Sequence, residues 1–233
     1  MKKLFDLRTE IDTILSTSWK RREGEVVPET DNVRLGNDAV ELDATVLYAD
    51  LVDSTGLVQG YKDWFAAEVY KTYLLVAAEL IKNNDGVITA YDGDRVMAVY
   101  LGGSKNSNAA KTALQLNYMV TQEINPRIRT HYTTTSYQIK QVVGIDTGKL
   151  LVARTGIRGS NDLVWVGRPA NFAAKLCDLR DGIHASFITS DVFSKLSKET
   201  KMGGSPERSM WEKFVANGLS IEAYRSSWRW QPS

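Results

Sequence analysis

The chain has one cysteine and two histidines among 233 residues, so it can close no internal disulfide and cannot assemble a zinc centre of the usual Cys/His kind. The lone thiol, Cys177, suits a reducing compartment, and the expected location is the cytoplasm. Charge of one sign is missing too. With 29 Lys and Arg against 28 Asp and Glu, the net charge of +1 makes no field to draw the chain onto nucleic acid or an anionic membrane. Long apolar runs are absent: the longest, around residues 74–81, is interrupted by Glu79 and falls short of the ~20 residues a spanning helix needs. The opening MKKLFDLRTEID meets Asp6, Arg8 and Glu10 before any run of signal-peptide length, so export is not expected. What remains, at 43% apolar and 24% charged, is one globular domain with a terminal extension.

Leu4, Leu7, Ile11, Ile14 and Leu15 recur at helical spacing, which predicts an amphipathic helix over 3–17 that needs a surface to pack on. Residues 19–43 are charged and carry Pro28 and Gly36 without periodicity. They read as an irregular arm, dividing the chain into an N-terminal helix and arm (1–43) and a main domain (44–233). ATVLYADL then reads as a strand ending at Asp50, and in the following DSTG Ser54 and Thr55 are N-cap candidates. Phe65, Val69, Tyr73, Ala77, Leu80 and Ile81 keep one helical face as far as Asn83, Asn84 and Gly86. GVITAY and DRVMAVYLG flank an Asp92-Gly93 hairpin turn. A helix over 107–125 is stopped by Pro126, and a strand pair is expected to turn near Asp146–Gly148. The order β, α, β-hairpin, α, β predicts an α+β, ferredoxin-like antiparallel sheet with helices on one face.

In that topology the first and third strands are antiparallel neighbours, so Asp50 at the end of one lies beside Asp94 at the start of the other. Either carboxylate alone is what any solvated strand end carries. Together they repel unless a proton or cation lies between them, and an all-oxygen site with few protein ligands suits Mg²⁺ or Mn²⁺ brought in with phosphate. Backbone N–H groups over Leu51–Thr55, at a helix start, supply an anion cradle. Further on, GRPANFAAKLCDL places Pro169 at a helix start and Asn171 and Lys175 on one face; spacing alone makes these a polar surface pair.

Taken together, these segments resemble the class III nucleotide cyclases, the adenylate and guanylate cyclase catalytic domain, over about residues 44–225. Tyr48-Ala49-Asp50 matches the family tripeptide that supplies the first metal aspartate, and Gly93-Asp94 the second. Asn171-Phe172-Ala173-Ala174-Lys175, preceded by Gly167, matches the helix that carries the transition-state asparagine and arginine. The resemblance implies two divalent cations, Mn²⁺ or Mg²⁺, on Asp50, Leu51 and Asp94. It also implies phosphates over Asp53, Ser54 and Thr55, with Lys213 a candidate for the triphosphate tail. Asn171 would orient the ribose and Lys175 meet the α-phosphate, both reaching across a head-to-tail homodimer with composite sites.

The departures narrow the reading. Lys175 replaces the family arginine and loses its bidentate fork. The two positions where purine cyclases read the base hold Ala90 and Val164, neither able to hydrogen-bond a base edge through its side chain. A pocket walled by Tyr48, Ala90, Tyr91, Asp92 and Val164 suits a smaller ring. With these departures the chain resembles the pyrimidine cyclases of the Pycsar antiphage systems, which make cyclic UMP or cyclic CMP for a separate effector protein. UTP is the expected substrate, with CTP, an adenylate or guanylate cyclase, and an inactive nucleotide-binding or dimerisation module as alternatives. No catalytic histidine is required, and His131 and His184 are read as structural or exposed.

Overall fold

The computed structural model describes residues 4–216 and 219–232. Its backbone is one sheet of nine strands. The strands are β1 (Lys20–Glu23), β2 (Asp38–Leu51), β3 (Gly86–Asp92), β4 (Arg95–Tyr100), β5 (Gln141–Ile157), β6 (Ser160–Val166), β7 (Ser186–Thr189), β10 (Glu212–Ala216) and β11 (Ile221–Ser226), with a separate short ribbon of β8 (Met202–Gly203) and β9 (Arg208–Ser209). The order is β10-β11-β7-β5-β2-β4-β3, with β1 on β2 and β6 on β5. The helices that frame the sheet and its carboxylate-bearing edge are α1 (Leu4–Ser16), α2 (Ser54–Gly60), α3 (Asp63–Asn83), α4 (Lys105–Tyr118), α5 (Asn125–His131) and α6 (Arg168–Cys177).

Because strand residues alternate between faces, the core divides in two. Leu47, Ala49, Leu51, Val96, Ala98, Val143 and Ile145 pack against α3 and α4 through Phe65, Val69, Tyr73, Ala77, Leu80, Ala110 and Leu114. The alternate residues Val40, Leu42, Ala44, Val46, Met97, Val99, Leu150 and Val152 pack with Ala170 and Ala173 of α6. The ferredoxin-like core of β2, β4, β3 and β5 is thus as expected, but helices cover both faces and the sheet is mixed, with β1·β2 and β5·β7 parallel. Returning from β5 to a parallel β7 needs a crossover, and α6 is that crossover.

Four local expectations are corrected. The helix after Asp50 breaks in two at Tyr61–Lys62, and Asp53 is its N-cap rather than Ser54 or Thr55; Asp53 takes the left-handed conformation (φ 61) and accepts from the Gly56 N–H. Pro126 does not end a helix. It starts α5, where its missing N–H is tolerated, after the wide π-turn Met119–Ile124. Asp146–Gly148 is no turn: β5 runs straight through it, because buried Asp146 has partners inside the fold in the Thr189 hydroxyl (2.6 Å) and Arg168 (3.5 Å). The hairpin instead closes at 158–159. Lastly, the arm is ordered. Lys20–Glu23 pairs with β2, Val33, Ala39, Val40 and Leu42 are buried, and the expected division at 43/44 falls inside β2. Leu7, Ile11, Ile14 and Leu15 of α1 stay exposed, while the side chain of Leu4 lies outside the described residues.

The close approach of α6 to β5 requires glycine at 144. A Cβ there would sit 2.1 Å from the Ala173 carbonyl oxygen and 2.3 Å from the Cys177 nitrogen, both backbone atoms that cannot swing away. Gly144→Ala is expected to cost about 3 kcal/mol or more and to lower the melting temperature by roughly 6–12 °C. A thermal melt unchanged to within a degree would show that α6 does not pack as described.

Candidate active site

The C-terminal end of β2 carries Asp50, one residue past the Ala49↔Val96 pair and therefore beside Arg95 of β4. Asp50 is 8% exposed, and its Oδ2 accepts from Arg95 Nη2 (2.8 Å) and Arg180 Nη2 (3.3 Å). The same Arg95 nitrogen donates to Asp178 Oδ1 at 2.7 Å, just past the end of α6, and its guanidinium lies 5.9 Å from the centre of the Tyr48 ring.

Asp94 sits in the β3–β4 turn after Gly93, whose φ of 60 gives the left-handed geometry the Asp-Gly pair predicts. It reaches the strand end from the α3 side. Burial, and then the nearby Asp50 charge, raise its pKa above the ordinary carboxylate range, and the Ser54 hydroxyl acts the other way. Asp94 Oδ2 is buried without a hydrogen-bond partner, as is the Tyr73 hydroxyl of α3. Burial first, with Cys177, Asp50 and Asp94 adding, puts the Tyr73 hydroxyl far above its usual pKa, and burial then Asp94 raise Tyr70.

A buried, unpartnered carboxylate oxygen next to a second carboxylate fits a hard cation: the ion would cancel the repulsion and fill the missing bond. Among the described residues no three His, Cys, Asp or Glu are grouped to hold a metal alone. Two protein carboxylates with the rest supplied by backbone, water and substrate is the usual Mg²⁺ arrangement.

The other expected site residues divide by position. Tyr48 is half-buried in the same strand end, and Ala90, Tyr91 and Asp92 are exposed on β3, which β4 separates from β2. Ser54 and Thr55 open α2 beside Asp94, while the Asp53 carboxylate is already committed to capping. Four residues are not brought to Asp50 within the chain. Asn171 and Lys175 are exposed on α6, whose buried face is Pro169, Ala170, Ala173, Leu176 and Cys177. Val164 pairs with Ala153, which pairs with Ala39 at the far end of β2. Lys213 is on edge strand β10, four strands from β2, bonded to Glu222 at 2.6 Å.

Sequence reasoning missed Arg95, Arg180, Asp178 and Tyr70. Arg95 directly follows Gly93-Asp94 and could have been found there; Asp178 and Arg180 come to Asp50 only through the folding of α6 onto β5. His184 is structural, its ring held between Asp181 (2.7 Å) and Glu212 (3.3 Å), and His131 is exposed. Cys177 is also structural: it is buried, its thiol faces the Val142 carbonyl at 3.2 Å, and burial with Asp50 pushes it up to about 12.

No protein-family profile matches the chain. Three proteins named uridylate cyclase are similar to it over nearly their whole length. They come from Xanthomonas perforans (46% identical over 228 residues, 97% of each chain), Burkholderia cepacia (44% over 227, 97% of each) and Rhodovulum sp. strain MB263 (38% over 232, 96% of each). Among solved structures it is similar in fold to a bacterial light-regulated adenylyl cyclase (TM-score 0.67, 17% identity, 82% of this chain and 53% of that one) and to the adenylyl cyclase CyaB from P. aeruginosa (TM-score 0.64, 18% identity, 81% and 95%). No helix among the described residues is long and apolar enough to cross a membrane.

Proposed function

The chain belongs to the uridylate cyclase family, and we propose that it converts UTP to 3′,5′-cyclic UMP and pyrophosphate by in-line attack of the ribose 3′-hydroxyl on the α-phosphorus. The observation that carries this reading is Asp94: a buried carboxylate oxygen without a protein partner, beside Asp50 and the Ser54 hydroxyl at the start of α2. Asp50, Asp94 and the Leu51 backbone would hold two divalent cations, Mn²⁺ or Mg²⁺, which when bound lower the pKa of the 3′-hydroxyl and neutralise the departing pyrophosphate.

The remaining work is positioning, which the chain's own groups perform. With Asp53 occupied on Gly56, the N–H groups of Ser54 and Thr55 meet the phosphates. Asn171 of a second copy orients the ribose, and Lys175 of that copy faces the charge that develops on the α-phosphate. Lys213, exposed on its edge strand, serves the triphosphate tail only if the dimer carries it across. Tyr48, Ala90, Tyr91, Asp92 and Val164 wall the base, with Val164 reaching the Asp50 strand end only from a second copy. Ala90 and Val164 offer no donor or acceptor to a purine edge, which favours a pyrimidine. The cyclic product acts as a second messenger for a separate effector in antiphage defence, in the cytoplasm.

Incubating the protein with all four nucleoside triphosphates and Mn²⁺, and resolving products by chromatography and mass, tests this directly. Cyclic UMP is the expected main product. Predominant cyclic CMP moves the assignment to cytidylate cyclase, and a predominant cyclic purine refutes the pyrimidine pocket.

A further inference from the structure

Asp50 has two cationic neighbours that the proposed reaction does not use. Arg95 and Arg180 both donate to Oδ2, one of the two oxygens through which Asp50 would hold a cation. A carboxylate oxygen ligating a divalent ion at about 2.1 Å has no room to keep two guanidinium donors, and the positive charges repel. The two arginines and the cation therefore exclude one another at this atom.

What happens to the displaced guanidiniums is set by their second anchors, neither of which involves Asp50. Arg95 stays bonded to Asp178 at 2.7 Å. Arg180 stays on the carbonyls of Cys177 and Leu179, at the negative end of α6. Both side chains are partly open to solvent, 29% for Arg95 and 33% for Arg180. Each remains beside Asp50 with N–H groups to offer a phosphate chain that the cation brings in. Guanidinium forks match phosphoryl oxygens bidentately, which Lys175 cannot do.

We propose that Arg95 and Arg180 are triphosphate-binding residues, held in reserve on Asp50 and released to the nucleotide's phosphates when a divalent cation takes Asp50 Oδ2. The proposal rests on the cyclase reading for the identity of the ligand. It differs from a merely structural role in sign: arginines that only orient Asp50 would aid cation binding, whereas arginines that compete for it oppose cation binding and aid triphosphate binding.

The test uses the full chain and needs no turnover. Mn²⁺ affinity is read without nucleotide from the spin resonance of free Mn²⁺, and affinity for 3′-deoxy-UTP and 3′-deoxy-CTP, which lack the attacking hydroxyl, is read by calorimetry in excess Mn²⁺. Arg95→Met and Arg180→Met are each expected to bind Mn²⁺ about threefold tighter or more, and the deoxy-triphosphate at least about tenfold more weakly. Arg95→Lys and Arg180→Lys, which keep charge and are gentler on folding, fall between. Mn²⁺ affinity that is unchanged or weakened in the four variants, triphosphate affinity within twofold of wild type, or a wild type that binds no Mn²⁺ overturns the proposal. A wild type that binds Mn²⁺ and the deoxy-triphosphate yet forms no cyclic product sinks the proposed function and leaves the arginine assignment to stand on these affinities.

Discussion

Asp94→Asn is expected to melt about 2–4 °C higher than the wild type at neutral pH in the absence of divalent ions, and to lose product formation by about a thousandfold or more. The two effects share one cause. Burial and the charge of Asp50 hold the Asp94 carboxyl above its ordinary range. A group whose folded pKa lies above its unfolded one contributes stability that is full below the unfolded value and is lost as pH rises through the folded value. As pH rises from the ordinary carboxylate range the protein therefore loses this contribution and bears the cost of ionising Asp94 beside Asp50, with one buried oxygen unpartnered. Asparagine keeps the shape and the acceptor facing Ser54, removes the charge, and removes the ligand. Adding Mn²⁺ should raise the melting temperature of the wild type and leave Asp94→Asn nearly unmoved. Melts with and without Mn²⁺, from below the ordinary carboxylate range up to neutral pH, check both signs. A variant less stable than wild type at neutral pH, or one that retains activity, contradicts the account of Asp94.

How much of the fold and the site is legible in the sequence depends on how local their determinants are. The β3–β4 hairpin is legible, because Asp92-Gly93 encodes its own turn and Gly93 adopts the required positive φ. So is the buried face of α3, because its period is written in Phe65, Val69, Tyr73 and Ala77. The neighbourhood of Asp50 and Asp94 comes from topology, once strand order places β2 next to β4. Asp146 misleads because a polar Asp-Thr-Gly triplet looks like a turn wherever its partners are unknown; Thr189 and Arg168 lie 43 and 22 residues away. The arm misleads because its buried residues, Val33, Val40 and Leu42, are spread among charges whose partners are also distant, such as Arg22 with Asp38 at 2.9 Å. Arg180 is invisible as a site residue for the same reason. Its bond to Asp50 joins residues 130 apart and exists only because Gly144 lets α6 lie flat on β5.

An equimolar mixture of Asp50→Ala and Asn171→Ala chains, each inactive alone, is expected to recover about a quarter of the wild-type rate: half of the dimers are mixed, and each mixed dimer has one intact site of two. The geometry of the single chain is the reason. It is the end of α6, at Asp178 and Arg180, that meets the Asp50 network. Asn171 lies seven residues earlier in the chain, about 10 Å back along the helix. Its side chain is exposed, on a helix whose other face is committed to the sheet through Ala170, Ala173 and Leu176. Asn171 therefore cannot serve the Asp50 of its own chain unless α6 leaves a surface that Gly144 shapes it to fit. A head-to-tail pair would remove the conflict if its symmetry axis brought the exposed face of one α6 to the strand end of the other copy. The double variant Asp50→Ala/Asn171→Ala mixed with wild type is the control, since its mixed dimers hold one site lacking one group and one lacking the other; an equimolar mixture should keep about a quarter of the wild-type rate, below the half that dilution alone leaves. If subunit exchange is verified with differently tagged chains and the two single variants still recover nothing, Asn171 acts within its own chain and the composite site is wrong.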